Sequence, residues 1–361
     1  MRPDRAASAL AIALVLALGG CSTIEYYSQA VRGHLEMVQR SRPIDDVLAD
    51  PKAPEAVREK LVRVRDMRTF AVRELGLPDN GSYRSYADLG RPFVVWNVFA
   101  APALSIEPAK SCFPIAGCVS YRGFYGQEDA AAYADRMAAQ GFDTYVGGVP
   151  AYSTLGWFDD PVLNTFIQYP DAEVARLLFH ELAHQVVYVK DDSTFNESFA
   201  TAVEMAGMQR WLAANAGAAE RAAFDDHQAR RKGFLALVMR YRDKLGDAYA
   251  QPVSDEAKRA AKARLFDEMR AEYEAMKAGW GGYAGYDRWF ARGPNNANLA
   301  SVATYTELTP AFLALLDREG GDMPRFYAAA KQLAGLPKPE RTAALEGLVP
   351  MAVNRRTSPP G

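Results

Sequence analysis

The segment "HELAH" holds the residues of this chain best suited to chemistry, His180, Glu181 and His184. The chain has 361 residues and only four histidines, and two of them stand four positions apart here. On a helix, positions i and i+4 share a face, so both imidazoles can point at one cation. This spacing is typical of a zinc site, and the intervening glutamate is placed to act as general base on a water activated by the metal.

A catalytic zinc needs a third protein ligand, and the downstream segment "FNESFATAVE" supplies one. Glu197 follows His184 after a connection long enough for a turn between two helices. If the segment is helical, Glu197, Thr201 and Glu204 share a face. We therefore predict that Glu197 ligates the metal, while Glu204 accepts the free N–H of a ligating histidine. The alternative is an amphipathic helix with two core histidines and an exposed Glu204.

Together, "HELAHQ" and "NESFATAVE" resemble the gluzincin metallopeptidases, most closely the aminopeptidase N type. The resemblance implies a zincin-like fold and one bound Zn²⁺. It also implies that His180, His184 and Glu197 are the metal ligands, with Glu181 as catalytic base and Glu204 behind the ligands.

Two features depart from that type. The connection between the second histidine and Glu197 is shorter, and the Gly-x-Met-Glu-Asn segment that binds the substrate amine is missing. In its place "YVGGVPAYS" keeps Gly147 and Gly148, and can form an edge strand that pairs with substrate backbone. Asp159 and Asp160 can replace the amine anchor, or be ordinary turn residues. Aminopeptidase activity is therefore favoured by resemblance, and endopeptidase activity stays open.

The oxyanion of the reaction needs an electrophile in addition to the metal. We predict Tyr305 for this role, because it follows a polar segment in an otherwise apolar helical region. Tyr283, Tyr286 and His227 are further candidates, and each can instead be a packing residue.

The N-terminus is typical of an exported protein. Arg2 and Arg5 precede an apolar stretch that is too short to span a bilayer, and "LGGC" follows, ending at Cys21. This segment resembles a bacterial lipobox, which implies lipidation of Cys21, a bacterial envelope location facing the periplasm, and sorting to the outer membrane. A simple cleaved signal is the alternative.

The two remaining cysteines, Cys112 and Cys118, form an even pair in an exported chain, which predicts a disulfide. The cysteine pair, the lipobox and the nearby "YRGFY" resemble a family of bacterial lipoproteins labelled as aminopeptidases. That likeness spans most of the chain after Cys21.

Composition and pattern predict an α+β fold that is predominantly helical. Lys plus Arg (42) nearly balances Asp plus Glu (44), so nothing suggests a nucleic-acid partner. Strand-like segments lie between residues 83 and 152, and helical patterns dominate after residue 171, with breaks expected near Gly246 and Pro252. The predicted division is a signal peptide (1–20), N-terminal helices with a small sheet (21–170), a helical zinc-site and C-terminal part (171–350) and a disordered tail (351–361).

These observations predict a zinc-dependent peptidase that acts on peptides and is held in the cell envelope by a lipid on Cys21. A non-catalytic envelope scaffold with a structural zinc or none is the alternative from another class.

Overall fold

A computed structural model describes residues 26–113, 117–151, 153–291 and 293–349. The predicted signal peptide, the predicted lipidation site Cys21 and the tail 351–361 lie outside the described residues. Helices dominate, as the sequence predicts, and short strands confirm an α+β architecture.

The helices of the first part of the chain, up to Asn215, differ widely in length. They are α1 (residues 26–40), α2 (Ile44–Ala49), α3 (Glu55–Leu75), α4 (Gln127–Ala139), α5 (Asn164–Ile167), α6 (Asp171–Ala183) and α7 (Ser193–Asn215). Seven further helices follow α7 in the described part of the chain. They are α8 (Ala218–Ala250), α9 (Asp255–Gly279), α10 (Asp287–Ala291), α11 (Asn296–Thr306), α12 (Thr309–Arg318), α13 (Met323–Ala334) and α14 (Lys338–Glu346).

The strands form three small sheets. They are β1 (Arg42–Pro43), β2 (Ser85–Ala87), β3 (Val95–Pro102), β4 (Ser111–Phe113), β5 (Gly117–Val119), β6 (Arg122–Phe124), β7 (Phe142–Val149) and β8 (Val162–Leu163). The sheet orders are β1-β2-β8, β6-β3-β7 and β4-β5. In the second sheet, β3 pairs antiparallel with both neighbours, so β7 is an edge strand, as expected from "YVGGV".

The largest hydrophobic core surrounds the two helices of the predicted zinc site. It joins residues from both predicted parts of the chain, from Met37 on α1 to Leu345 on α14. Phe179 of α6 packs against Phe70 and Trp211, and Phe199 of α7 packs against Phe312 and Phe326. Because large apolar side chains in well-packed cores are costly to displace, these contacts fix α6 and α7 against each other.

A long helical hairpin, α8 and α9, has its own core around Leu237, Met269 and Tyr273. The predicted break at Pro252 is present between the two helices, but the one at Gly246 is wrong, since α8 continues through it. A glycine costs a helix about 1 kcal/mol, which tertiary packing readily offsets. Here the missing side chain lets Ile106 approach closely.

One helical stretch, Asn296–Arg318, is long and apolar enough to cross a membrane by length and composition alone. It comprises α11 and α12, and more than half of its apolar window (56%) is buried inside the protein. This is the expected behaviour of core helices, so the stretch is weak support for a membrane span.

The C-terminal helix α14 is attached to the N-terminus of α7 through a buried ion pair. Arg341 donates to Asp192 Oδ2 from Nη2 at 2.7 Å and from Nε at 3.1 Å, and both side chains are about 95% buried. Asp192 is also the N-cap of α7, where its carboxylate accepts the backbone N–H of Phe195. The pair therefore joins the end of the described chain to the helix that carries Glu197.

We expect Arg341→Ala to lower the free energy of unfolding by about 3–5 kcal/mol, because it leaves the Asp192 carboxylate buried without its main partner. Lys338→Ala is the matched control, since Lys338 also reaches Asp192, at 3.3 Å, but its side chain is 55% exposed. That substitution should cost less than about 1 kcal/mol. Urea unfolding measures both, and equal losses would contradict the role given to the buried pair.

Candidate active site

Helix α6 carries both histidines of the "HELAH" segment. It begins after Pro170, and Asp171 and Glu173 place negative charge in its first turn, where the helix dipole favours it. The last helical residue is Ala183, and His184 follows with helical backbone angles (φ −59°, ψ −22°). The two imidazoles therefore stay one turn apart on one face, with ring centroids 4.9 Å apart.

The connection between α6 and α7 is short and tightly fastened. The side-chain amide of Asn196 accepts from the backbone N–H of Val189 at 2.7 Å and donates to its carbonyl at 2.8 Å. Gln185 bonds to Asn80 and to Ser82 on the loop after α3. These contacts close the turn, and α7 returns along α6 with Glu197 facing the histidines.

Three side chains converge from these two helices. Glu197 Oε2 lies 3.3 Å from His180 Nε2 and 3.6 Å from His184 Nε2, and all three residues are about nine-tenths buried. Ligand atoms at the corners of a tetrahedron with zinc bond lengths lie about 3.3–3.4 Å apart. The separations and the two-imidazole, one-carboxylate donor set therefore fit a zinc ion, and the three residues form a group that could hold a metal.

Glu204 lies directly behind this group, as the sequence predicts. Its Oε2 is 3.1 Å from His180 Nδ1 and 3.0 Å from Arg176 Nη1, while Oε1 accepts from Arg231 Nη1 at 3.4 Å. Arg176 is one turn before His180 on α6, and Arg231 comes from α8. A hydrogen bond from Nδ1 to a carboxylate sets the tautomer that leaves Nε2 free to ligate.

The charges of the site depend on these contacts. Burial alone lowers the pKa of His180, but hydrogen bonds to Glu197 and Glu204 outweigh it and raise that pKa to about 10. Burial raises the pKa of both glutamates, yet the nearby cations lower it to about 2 in each. After burial, the largest contribution comes from His184 for Glu197 and from Arg176 for Glu204. Both carboxylates are therefore ionised at neutral pH.

Glu181 lines a cavity of about 540 Å³ that is also lined by both histidines and Glu197. Burial raises the pKa of its carboxyl, and the two neighbouring histidines oppose that rise. A carboxylate with a raised pKa is a better proton acceptor, which suits a general base.

Another wall of the cavity is formed by one face of the β6-β3-β7 sheet. Asn97 lies on the central strand β3, paired with Gly123 of β6 and Gly147 of β7. The other face of this sheet is covered by α4. Beyond the edge strand β7, Ala151, Ser153 and Leu155 also line the cavity.

The predicted disulfide between Cys112 and Cys118 is present and closes the β4-β5 hairpin. Asp191, in the turn before α7, accepts the backbone N–H of Cys118. Asp191 has φ 66°, which an aspartate tolerates better than most residues. The hairpin is therefore joined to the connection between the two site helices, and Phe113 and Val119 form part of the cavity wall.

Three of the residues predicted as possible electrophiles lie away from the cavity. Tyr286 stacks on Phe234 at 4.0 Å in the α8-α9 core, and Tyr283 packs beside it. His227 lies 3.9 Å from Glu173. None of these residues lines the cavity in the described part of the chain. The backbone of Tyr305 is in α11, but its side chain lies outside the described residues, so its role stays a prediction.

Tyr121 and Tyr188, which the sequence reasoning did not select, are among the tyrosines that line the cavity. Burial, with a further contribution from the Glu197 charge, raises the pKa of both phenols, so both keep their proton at neutral pH. The position of each tyrosine in the sequence could have indicated its place at the site. Tyr188 is four residues after His184, and Tyr121 opens the "YRGFY" segment.

The proposed substitutes for the amine anchor do not reach the cavity among the described residues. Asp159 is exposed, and Asp160 is buried, with Oδ2 accepting the backbone N–H of Thr154 at 3.0 Å. The Asp160 Oδ1 atom has no partner in the described structure. Burial raises the pKa of Asp160 to about 7 against the Thr154 hydrogen bonds, and the charge of Glu181 adds to the rise.

Fold and site together define an α+β protein with a buried His–His–Glu group that lines a cavity and is suited to holding a metal ion. A family model described as "Putative aminopeptidase" matches residues 25–345, so the chain belongs to this family of peptidases. No curated protein and no solved structure matches the chain.

We expect Asp160→Asn to be more stable than the parent protein at pH 8, with the difference vanishing towards pH 4. The pKa of Asp160 is higher in the folded than in the unfolded chain, so its stabilising contribution is lost as pH rises from about 4 to about 7. The difference can reach about 4 kcal/mol. Urea unfolding at several pH values measures it, with the exposed Asp159→Asn as control. A pH-independent difference would contradict this account.

Proposed function

We propose that this protein is a zinc-dependent aminopeptidase held in the cell envelope. The observation that carries the proposal is the convergence of His180 Nε2, His184 Nε2 and Glu197 Oε2 within 4.8 Å of one another, next to Glu181 in an open cavity. Two imidazoles and one carboxylate are a donor set typical of catalytic zinc, which leaves a position open for reaction. Membership of the aminopeptidase family supports the choice of reaction.

Zinc bound by these residues would polarise the substrate carbonyl and make a water molecule acidic enough to attack it near neutral pH. Glu181 accepts the proton of the attacking water and passes it to the leaving amine. The two arginine partners of Glu204 keep that carboxylate ionised, and Glu204 in turn holds the His180 ring in place.

Charge also develops on the substrate carbonyl oxygen during attack, and a hydrogen-bond donor there lowers the barrier. The phenols of Tyr121 and Tyr188 line the cavity and keep their protons, so both are suited to this task. Tyr305 stays the candidate drawn from the sequence.

Endopeptidase activity is the second candidate, and one observation favours it. Among the described residues, the carboxylates that line the cavity are Glu181 and Glu197, which are committed to base and ligand. A free carboxylate for the substrate's terminal amine is therefore not among them. An aminopeptidase of this chain would have to bind the amine through neutral groups.

Envelope anchoring rests on the sequence. The basic and apolar N-terminal segment and the "LGGC" motif support lipidation of Cys21 and attachment to the outer membrane facing the periplasm. Detection of an acylated N-terminal cysteine by mass spectrometry of the mature protein would test this part.

The expected result for Glu181→Gln is a loss of peptide hydrolysis of at least about a thousandfold with zinc still bound, because the base is lost and the three ligands remain. Peptide-library digestion followed by mass spectrometry measures the products, and metal analysis measures the zinc. His184→Gln is the control, in which zinc and activity should fall together.

The same digestion separates the two candidate reactions. Removal of single N-terminal residues by the parent protein would support the aminopeptidase, whereas internal cuts would replace it with the endopeptidase. Full activity in the Glu181→Gln variant, or activity insensitive to chelators, would contradict the proposed chemistry altogether.

A further inference from the structure

The outer face of α1 carries a stripe of exposed apolar side chains. Tyr27, Val31, Leu35 and Val38 recur every three or four positions, which keeps them on one face, and each is 38–57% exposed. The stripe continues onto the loop after β7, where the ring of Phe158 lies 4.4 Å from that of His34 on α1. We call these residues the apolar patch: Tyr27, Val31, Leu35, Val38, Trp157 and Phe158.

The patch concentrates most of the apolar exposure of the molecule. Ten large apolar side chains are exposed among the described residues, and six of them belong to the patch. Trp157 is the most exposed of all, at 73%. Apolar side chains scattered singly on a surface are ordinary, but a contiguous group of this kind marks an interaction site.

The position of Cys21 indicates which partner covers the patch. Tyr26, the first described residue of α1, comes five positions after Cys21. A chain of that length reaches about 18 Å at most when fully extended. A lipid on Cys21 would therefore hold the start of α1 within about 18 Å of the bilayer. Arg32, exposed on the same helix, suits a surface with anionic headgroups.

We propose that the apolar patch rests on the lipid bilayer and orients the enzyme with its active-site cavity beside the membrane surface. The lipid provides the attachment, and the patch selects which face of the protein turns to the bilayer. Tyr26, Tyr27 and Ala30 of α1 and Leu155 of the loop also line the cavity, so its mouth adjoins the patch. This inference rests on the envelope anchoring proposed above.

Fluorescence quenching by brominated lipids tests this orientation. The lipidated mature protein is reconstituted in phosphatidylethanolamine and phosphatidylglycerol vesicles that contain phosphatidylcholine brominated on its acyl chains. We expect bromine close to the headgroup to quench tryptophan emission, and Trp157→Phe to remove most of the quenched fraction. Trp280→Phe, at the end of α9, should leave that fraction unchanged.

A charge variant supplies the second arm. Val31→Glu with Leu35→Glu should abolish the quenching of Trp157. Val62→Glu should not, although this valine on α3 is 48% exposed, close to Leu35 at 49%. In detergent, the parent protein, the Val31→Glu with Leu35→Glu double variant and the Val62→Glu control should hydrolyse a soluble peptide at the same rate. The proposal would be overturned if no bromine depth quenched the emission. It would also be overturned if the parent protein were a dimer in detergent and the double variant a monomer. Neither result would affect chelator-sensitive hydrolysis, which tests the proposed function separately.

A second inference comes from the cavity wall. Asn97 is 7% exposed on the central strand β3, and its side-chain amide forms no hydrogen bond with any described residue. Its neighbours across the sheet on both sides are glycines, and a Cβ at Gly123 would lie 3.1 Å from Asn97 Oδ1. The glycine at position 123 thus leaves open the space beside an amide that faces the cavity.

This arrangement is unfavourable for folding alone. Asparagine is depleted in strands, where β-branched residues such as valine are favoured. A valine would fit the strand better. We infer that Asn97 positions the substrate, with its amide donating to the carbonyl and accepting from the N–H of one substrate peptide group. An amide side chain carries both a donor and an acceptor, as a peptide group requires.

The test uses Asn97→Val in the Glu181→Gln background, with binding of an alanine tripeptide measured by calorimetry. We expect affinity to fall about tenfold while the melting temperature rises. In the active protein, KM should rise by a similar factor with a smaller change in kcat. Thr144→Val, on β7 outside the cavity, is the matched control and should leave affinity unchanged.

Unchanged affinity in Asn97→Val, or a fall in melting temperature together with affinity, would overturn the positioning role, since the latter result is that of a structural residue. If the parent protein hydrolyses no peptide but the tripeptide binds and Asn97→Val weakens it, the proposed reaction fails and the positioning role stands.

Discussion

The buried negative charge of Glu204 is the constraint around which the site is organised. A carboxylate that is 2% exposed is costly unless cations and hydrogen bonds neutralise it, and here Arg176, Arg231 and His180 do so together. These partners come from α6 and α8, while Glu204 itself lies on α7. Satisfying one carboxylate therefore requires three helices to meet in one arrangement, and that arrangement brings His180 towards Glu197.

The rest of the structure fixes the positions of these helices and forms the walls of the cavity beside them. The aromatic core on the far sides of α6 and α7 fixes their separation, and the Arg341–Asp192 pair attaches α14 to the start of α7. The disulfide-closed hairpin joins the connection between the two helices. On the other side, the β6-β3-β7 sheet presents Asn97 to the cavity. A rigid helix pair thus faces a sheet that a peptide can contact.

The sequence anticipated the parts of the site that depend on local periodicity. Four-residue spacing placed His180 and His184 on one face, and the short connection to "FNESFATAVE" brought Glu197 and Glu204 to the right side of α7. The cysteine pair and the helix boundaries at Pro170 and Pro252 followed equally local rules. The expected break at Gly246 was wrong because packing against Ile106 outweighs the low helix propensity of glycine.

What the sequence alone determined is the donor set, since a helix repeats every 3.6 residues and its register is already present in the order of residues. Only the tertiary structure decided what surrounds it: the arginines behind Glu204, the tyrosines at Tyr121 and Tyr188, and the glycine-flanked Asn97. Each of these is brought to the cavity by contacts between distant segments, and no local pattern encodes which face of a sheet will meet which helix.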